Sequence, residues 1–237
     1  CNIESVTTGI AGNHIQSYNG NGAINIMNDE VTDEDKDKVI SNAQNIQIPK
    51  DQEILHVIDQ YYTIDGQTGI REPKGMAGAR LEANVHIITT SSTAKRNLTK
   101  CINNSLLEID HYVLQPVASS EAVLSIEERD LGVCLIDIGC GTTDVAIFKD
   151  GIIRHTAVIP YGGNVITEDI KEGCSIIEKQ SELLKIKFGS ALPRENSENE
   201  IVSIPGLRGR EPKEISLKML SKIIHARLVE IIDLVYI

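Results

Sequence analysis

Residues 134–151 read CLIDIGCGTTDVAIFKDG, an apolar strand that runs into Asp-Ile-Gly-Cys-Gly-Thr-Thr-Asp and continues as a second apolar strand. A connection this short cannot carry a crossover, so the two strands are expected to lie antiparallel. The turn at KDG and the run that follows add a third strand, and the spacing predicts a meander over 131–138, 145–148 and 152–159. Strand periodicity then puts Val133, Leu135 and Asp137 on one face and Cys134, Ile136 and Ile138 on the other. Asp137 interrupts an apolar face. Buried there without a partner it would be costly, so it calls for a hydrogen-bond donor or a metal-bound water. Gly139 and Gly141 permit close backbone approach, and Thr142 and Thr143 bring hydroxyls beside exposed N–H groups, a combination able to cradle phosphate. A glycine hairpin without a ligand is the plainer reading of the turn alone; a second glycine turn at Gly162-Gly163 weighs against it.

The remainder alternates short strands and helices, which sets the class as α/β. SVTTGIAG at 5–12 is a β-like run closed by glycine, and the polar NGNG at 19–22 is expected to mark a boundary. Thr32 opens a helix with Asp35 as its capping-box partner and Val39, Ile40, Ala43 and Ile46 along one face. ILHVI at 54–58 and YYTI at 61–64 read as two strands, and a turn-rich stretch leads to LEANVHIIT at 81–89. Ser92 is expected to cap a helix carrying Ala94, Leu98, Cys101 and Ile102, and Pro116 suits the first turn of another that runs through Leu124. An amphipathic helix is predicted over 175–188, with Ile176, Gln180, Leu183, Leu184 and Lys187 in one stripe and Gly189 as its stop. After the loops PRENSENE and PGLRGREP a last helix starts near Ser216, in which Arg227 falls inside an aliphatic stripe.

Charge and cysteine content narrow the functional classes. With 23 basic against 34 acidic residues the chain carries −11, and its longest basic cluster is the short RGRE at 208–211, so nucleic acid is not an expected partner. Five scattered cysteines without a C-x-x-C pair favour a reducing compartment over zinc or disulfide chemistry. No apolar run reaches the roughly 18 residues of a spanning helix. The start at Cys1 and the stop inside a periodic helix read as an interior fragment. His56, His86 and His155 stand without a second ligand at suitable spacing and read as packed structural residues.

Asp137, Gly139, Gly141 and Thr142 fit D-x-G-x-G-T and resemble the second phosphate motif of the actin-like ATPase superfamily. The likeness extends through LGVCLIDIGCGTTDVAIFKDGIIRHTAVIPYGGNVITEDI to the FtsA family of bacterial cell-division proteins, whose inserted subdomain is similar to VTDEDKDKVI, ILHVIDQYYTID and LEANVHIIT. The resemblance implies an actin-like (ribonuclease H-like) fold with an FtsA-type insertion, truncated at both ends. Residues 1–11 and 91–130 would form subdomain 1A, 12–90 the inserted 1C, 131–173 subdomain 2A and 174–237 an incomplete 2B. It implies ATP with Mg²⁺ as cofactor, self-assembly into filaments on the cytoplasmic face of the inner membrane, attachment through a C-terminal helix absent from this chain, tethering of FtsZ, and contacts of 1C with later division proteins.

Position by position, the resemblance implies that Asp137 holds a water of Mg²⁺, that Gly139, Gly141, Thr142 and Thr143 meet the β- and γ-phosphates, and that Gly162 and Gly163 shape the adjoining turn. Cys140 departs from the usual glycine; if the position required positive φ, the Cβ would cost about 1–2 kcal/mol. Glu182 and Lys185, neighbours on one helical face, match nucleoside-contacting positions, against the plainer reading of a solvated ion pair. Gln115, 22 residues before Asp137, matches the position that orients the hydrolytic water; an amide is a poor base, so hydrolysis is expected to be slow at most. Arg227 resembles an arginine that docks the C-terminal peptide of FtsZ, against the plainer reading of a snorkelling side chain. A sugar kinase shares the phosphate turn but needs a catalytic Asp for which the 91–130 segment offers no candidate. A chaperone of the seventy-kilodalton heat-shock type carries its insertion elsewhere in the order of elements.

Overall fold

The structure is a computed structural model that describes residues 3–193, 200–206 and 211–236. Cys1, most of the loop at 193–200 and the basic part of the loop at 205–212 lie outside the described residues. The chain divides into two compact units, residues 1–137 with 144–158 and residues 138–143 with 159–237.

The first unit opens with β1 (Ser5–Ile10), β2 (Gln16–Asn25), α1 (Asp33–Ala43), β3 (Gln52–Ile64), β4 (Gln67–Ile70) and β5 (Arg80–Ser91). Four of these strands form an antiparallel sheet in the order β2-β5-β3-β4. In β5 the buried positions alternate at Leu81, Ala83 and Val85, but everything from Val85 to Thr90 is buried, because this end of the strand is covered on both faces. Val85 and Ile87 pack with Ala43, while Ile88 packs with Ile10, Ile15 and Leu114. The capping box forms as expected: Asp35 N–H donates to Thr32 Oγ1 and Thr32 N–H to the Asp35 carboxylate.

Two expectations for this unit are corrected. NGNG is no boundary; it lies inside β2, under α1. A Cβ on Gly20 would stand 2.2 Å from the Ala43 carbonyl oxygen and one on Gly22 2.4 Å from that of Val39, so the glycines serve helix-to-strand approach rather than a turn. The two runs at 54–58 and 61–64 are one strand, β3, whose pairing with β5 slips between Ile54 and His56 and again between Asp59 and Tyr61. Each irregularity shifts the phase of the alternation, which is why one strand reads as two.

Beyond β5 come α2 (Ser92–Asn104), β6 (Glu108–Leu114), α3 (Gln115–Val123) and the short α4 (Ile126–Leu131). Ser91, not Ser92, caps α2 by accepting the Ala94 N–H. β6, not foreseen from the sequence, pairs parallel with β1 from Ser5 opposite Glu108 to Ile10 opposite Leu114. The meander is present as β7 (Val133–Ile138), β8 (Thr143–Lys149) and β9 (Ile152–Ile159) in that order.

The second unit adds α5 (Gly163–Cys174), α6 (Glu178–Phe188), β10 (Ile201–Ile204), β11 (Lys213–Ser216) and α7 (Leu217–Val235). The helix expected over 175–188 starts later: Ser175, at φ 47°, ends α5, and α6 begins at Glu178. Ile166, Ile170, Leu184, Ile204, Ile215, Leu220 and Ile224 form the core of this unit. α7 starts where expected, after Ser216.

Candidate functional site

The turn between β7 and β8 is closed by Gly139 N–H donating to the Thr142 carbonyl at 2.9 Å. None of Gly139, Cys140 and Gly141 has positive φ, so the Cβ of Cys140 brings no left-handed strain to the turn. Its thiol donates to Asn164 Oδ1 at 2.9 Å. The first turn of α5 fastens onto this loop: Gly163 N–H donates to the Gly139 carbonyl at 2.9 Å and Asn164 N–H to that of Cys140 at 2.8 Å. Two N–H groups that a helix start leaves without intrahelical partners are thereby satisfied. Gly162 makes the approach feasible, since a Cβ there would stand 2.6 Å from the Gly139 carbonyl oxygen and 2.8 Å from that of Cys140. Gly141, by contrast, faces open space within 4 Å of its Cβ position. Thr142 is half-buried, whereas Thr143 is fully buried and its hydroxyl donates to the Tyr161 carbonyl at 2.8 Å, an internal tie.

α6 contributes the next pair. Lys185 Nζ lies 2.7 Å from the Glu182 carboxylate and donates to Thr167 Oγ1 at 2.7 Å and to the Gly163 carbonyl at 2.9 Å. Thr167 donates in turn to Glu182 at 2.5 Å. The neighbouring ammonium and hydroxyl hold the Glu182 carboxyl below the usual range. Glu182 and Lys185 are thus more than a solvated surface pair: they are bound to the second glycine turn through Thr167, which the sequence reading did not single out. Its signal was faint, a threonine one helical turn after Gly163.

In the first unit Asp137 is half-buried and accepts a hydrogen bond from Ser119 Oγ at 3.1 Å. Ser119 is one turn after Gln115 on α3, so both residues lie on one side of that helix, and Gln115 itself is exposed. The sequence required a donor for Asp137 without indicating which. His86 and His56 are structural as expected: His86 is buried between Asn19 Oδ1 and Thr156 Oγ1, each at 3.0 Å, and His56 Nε2 accepts the Leu114 N–H. His155, expected to be packed, is exposed because its strand position faces outward.

Arg227 is a half-buried residue of α7 whose guanidinium grips Asp169 through Nε at 2.5 Å and Nη2 at 2.9 Å, reaches Glu230 at 2.5 Å, and lies over the Tyr161 ring. Asp169 and Glu230 raise its already high pKa further. Its planar fork is engaged on two sides by carboxylates of its own unit.

Sequence profiles match in two blocks: the SHS2 domain inserted in FtsA over residues 12–89, and cell division protein FtsA over residues 134–235. The chain belongs to the FtsA family. The cell division protein FtsA of Neisseria meningitidis serogroup B is 48% identical over 233 residues, covering 98% of this chain and 56% of that protein. That of Escherichia coli K12 is 38% identical over 235 residues, covering 99% and 56%. The chain therefore spans about half the length of these FtsA relatives. Among solved structures, the PilM-PilN type IV pilus biogenesis complex aligns at TM-score 0.56 and 15% identity over 78% of this chain and 51% of the other. MreB5 of Spiroplasma citri bound to ADP aligns at TM-score 0.50 and 24% identity, over 62% and 47%. The fold is the actin-like ATPase fold with an FtsA-type insertion. No helix among the described residues is long and apolar enough to cross a membrane.

Proposed function

We propose that this FtsA-family chain supplies one side of a Mg-ATP site in a cell-division protein. The observation that carries the proposal is the joined pair of glycine turns, where the first turn of α5 is held against the Gly139–Thr142 loop at a distance that only glycine at 162 allows. A backbone cradle with an open Gly141 on one side and a lysine-bearing helix on the other suits an anionic ligand. The same actin-like fold in MreB5 of Spiroplasma citri was solved with ADP, which supports a nucleotide as the anion.

In this reading Gly139, Gly141 and Thr142 receive the phosphates, with Thr143 holding the turn in shape from inside. Glu182 and Lys185 meet the nucleoside. Asp137 orients a water of Mg²⁺, and the metal when bound neutralises phosphate charge. Gln115 orients the attacking water without accepting its proton, so turnover is slow. Titration calorimetry with Mg-ATP tests this: Asp137→Ala and Lys185→Met should each weaken binding while circular dichroism stays unchanged. Full affinity in both variants would overturn the site.

The wider role we propose takes its support from membership of the family: assembly into filaments on the cytoplasmic face of the membrane, attachment through a C-terminal helix, contact of the 12–90 module with later division proteins, and tethering of FtsZ. For the FtsZ peptide we propose docking on α7 at Arg227, where a peptide carboxylate competes with Asp169. Arg227→Glu should then weaken a labelled FtsZ tail by about 2 kcal/mol or more, and Asp169→Asn should strengthen it. Fluorescence anisotropy showing no change in either variant moves the peptide elsewhere.

A further inference from the structure

Two exposed surfaces take no part in the contacts that join the two glycine turns. One is an apolar groove of about 380 Å³ between α6 and β10, lined by Ile177, Leu183, Phe188, Val202 and Pro205, with Leu183 still 47% exposed. Lys179 and Lys187 stand on its rim and form no ion pair with the described residues. Past Gln180, Ile204 and Pro205 the groove continues toward Glu211 and Lys213, beyond the stretch that Lys179 and Lys187 edge. On a chain of net charge −11, an apolar groove edged by cations is an exception that calls for a complementary occupant.

The other surface has the opposite character. From Glu121 to Leu131 the chain reads EAVLSIEERDL; Leu124 packs on the core with Phe148, while Val123, Ile126 and Leu131 point outward, Ile126 being 76% and Leu131 85% exposed. The acids around them are Glu121, Glu127, Glu128 and Asp130, and the one cation of the segment is turned inward. Arg129 binds Glu121 and the Ser120 carbonyl and lies over the Phe148 ring. Asp130 pairs with Arg71, Glu121 with Arg129 and Glu128 caps the helix start, so what this short helix offers a partner is its apolar residues with Glu127 beside them.

We infer that these surfaces are the two halves of a copy-to-copy contact, with α4 of one copy seated in the α6–β10 groove of the next. Apolar side chains meet an apolar floor, and Glu127 faces the lysine rim, the helix-in-groove pattern of recognition. In the proposed contact each copy offers its groove to one neighbour and its α4 to another, the head-to-tail arrangement that repeats from copy to copy. The inference rests on the self-assembly part of the function proposed above and gives it a location.

The test is sedimentation velocity over a concentration series of the 237-residue chain, with Mg-ATP binding and circular dichroism recorded alongside. The wild-type sedimentation coefficient should rise with concentration. Leu183→Asp and the double variant Ile126→Asp/Leu131→Asp should each stay at the monomer value. An equimolar mixture of the two should form dimers and nothing larger, because each variant keeps the half that the other lacks. If an apolar variant fails to fold, surface charge variants replace it: Lys179→Glu/Lys187→Glu should abolish self-association, and adding Glu127→Lys to the same chain should restore it. A mixture that stays monomeric, or a Leu183→Asp chain that associates like wild type, overturns the pairing. A wild-type chain that stays monomeric yet binds Mg-ATP overturns this contact and leaves the nucleotide reading standing; failure of both removes both.

Discussion

Replacing Gly162 by alanine tests the joined turns directly. The residue lies at φ −157°, an extended conformation open to any side chain, so what glycine provides here is space and not backbone freedom. An added Cβ would stand 2.6 and 2.8 Å from two carbonyl oxygens, and those oxygens accept the N–H groups of Gly163 and Asn164. To relieve the clash the loop must move away and both hydrogen bonds lengthen. Each is worth about 1 kcal/mol net, and overpacking adds roughly 1–3 kcal/mol. Against this, alanine restricts the unfolded chain and returns about 0.5 kcal/mol. The expected loss is about 3 kcal/mol, read as a lower urea midpoint at unchanged slope, together with weaker Mg-ATP binding. Gly141→Ala is the control: its Cβ meets nothing within 4 Å and its φ is not positive, so stability should stay within about 0.5 kcal/mol. Equal urea midpoints for the two alanine variants would refute the close approach at Gly162.

Three further outcomes are expected. Gly22→Ala should lower the melting temperature through a loss of roughly 1–3 kcal/mol, because its Cβ would enter the last turns of α1; an unchanged melt would mean that α1 does not rest on β2. Burial pushes the His86 imidazole down to about 4, with His155 adding to the effect, so the fold holds it neutral while the unfolded chain takes up a proton below pH 6.5. Its stability contribution is complete above that pH and shrinks by about 3 kcal/mol as pH falls toward 4; His86→Gln should flatten this part of the urea-stability profile. Lys185 and Thr167 lower the Glu182 pKa, so its contribution is present above the ordinary value of 4.5 and disappears as pH falls through the depressed one. Glu182→Gln should remove that acid limb, and an identical limb in both proteins would count against the Thr167–Glu182–Lys185 cluster.

Elements whose signal is local were legible in the sequence. The meander could be read because apolar runs of strand length stop at glycine turns, and the α1 start because a capping box is complete within four residues. β6 was not legible: EIDHYVL carries charge at alternating positions and becomes a strand by pairing with β1, about a hundred residues earlier. α5 opens on a glycine and includes Val165, Ile166 and Thr167, poor helix formers that packing against α6 and α7 overrides. Gly20 and Gly22 show the opposite failure, where a turn signal was in fact a request for space. At the candidate site the types Asp, Gly and Thr were readable, but their partners Ser119, Asn164 and Thr167 are brought close only by the fold. Thr143 shows that a hydroxyl in a phosphate-type turn can be committed inward.

β2 and β5 lie side by side with Gln16 opposite Thr89, so the two ends of the four-stranded module are held about 5 Å apart, one inter-strand spacing. To the flanking elements the whole module is a detour that leaves and returns at nearly the same point. The connectivity from β1 through α2 to β6 would survive its replacement by a few residues, and the entropic cost of so long an excursion grows only with the logarithm of its length. The outer surface of the module is what such a junction leaves free, because Ile88 against Ile10 and Leu114, and His86 against Thr156, tie its inner face to the rest of the unit. On that outer side the module can diverge, acquiring new surface without disturbing the registry of the sheet it interrupts.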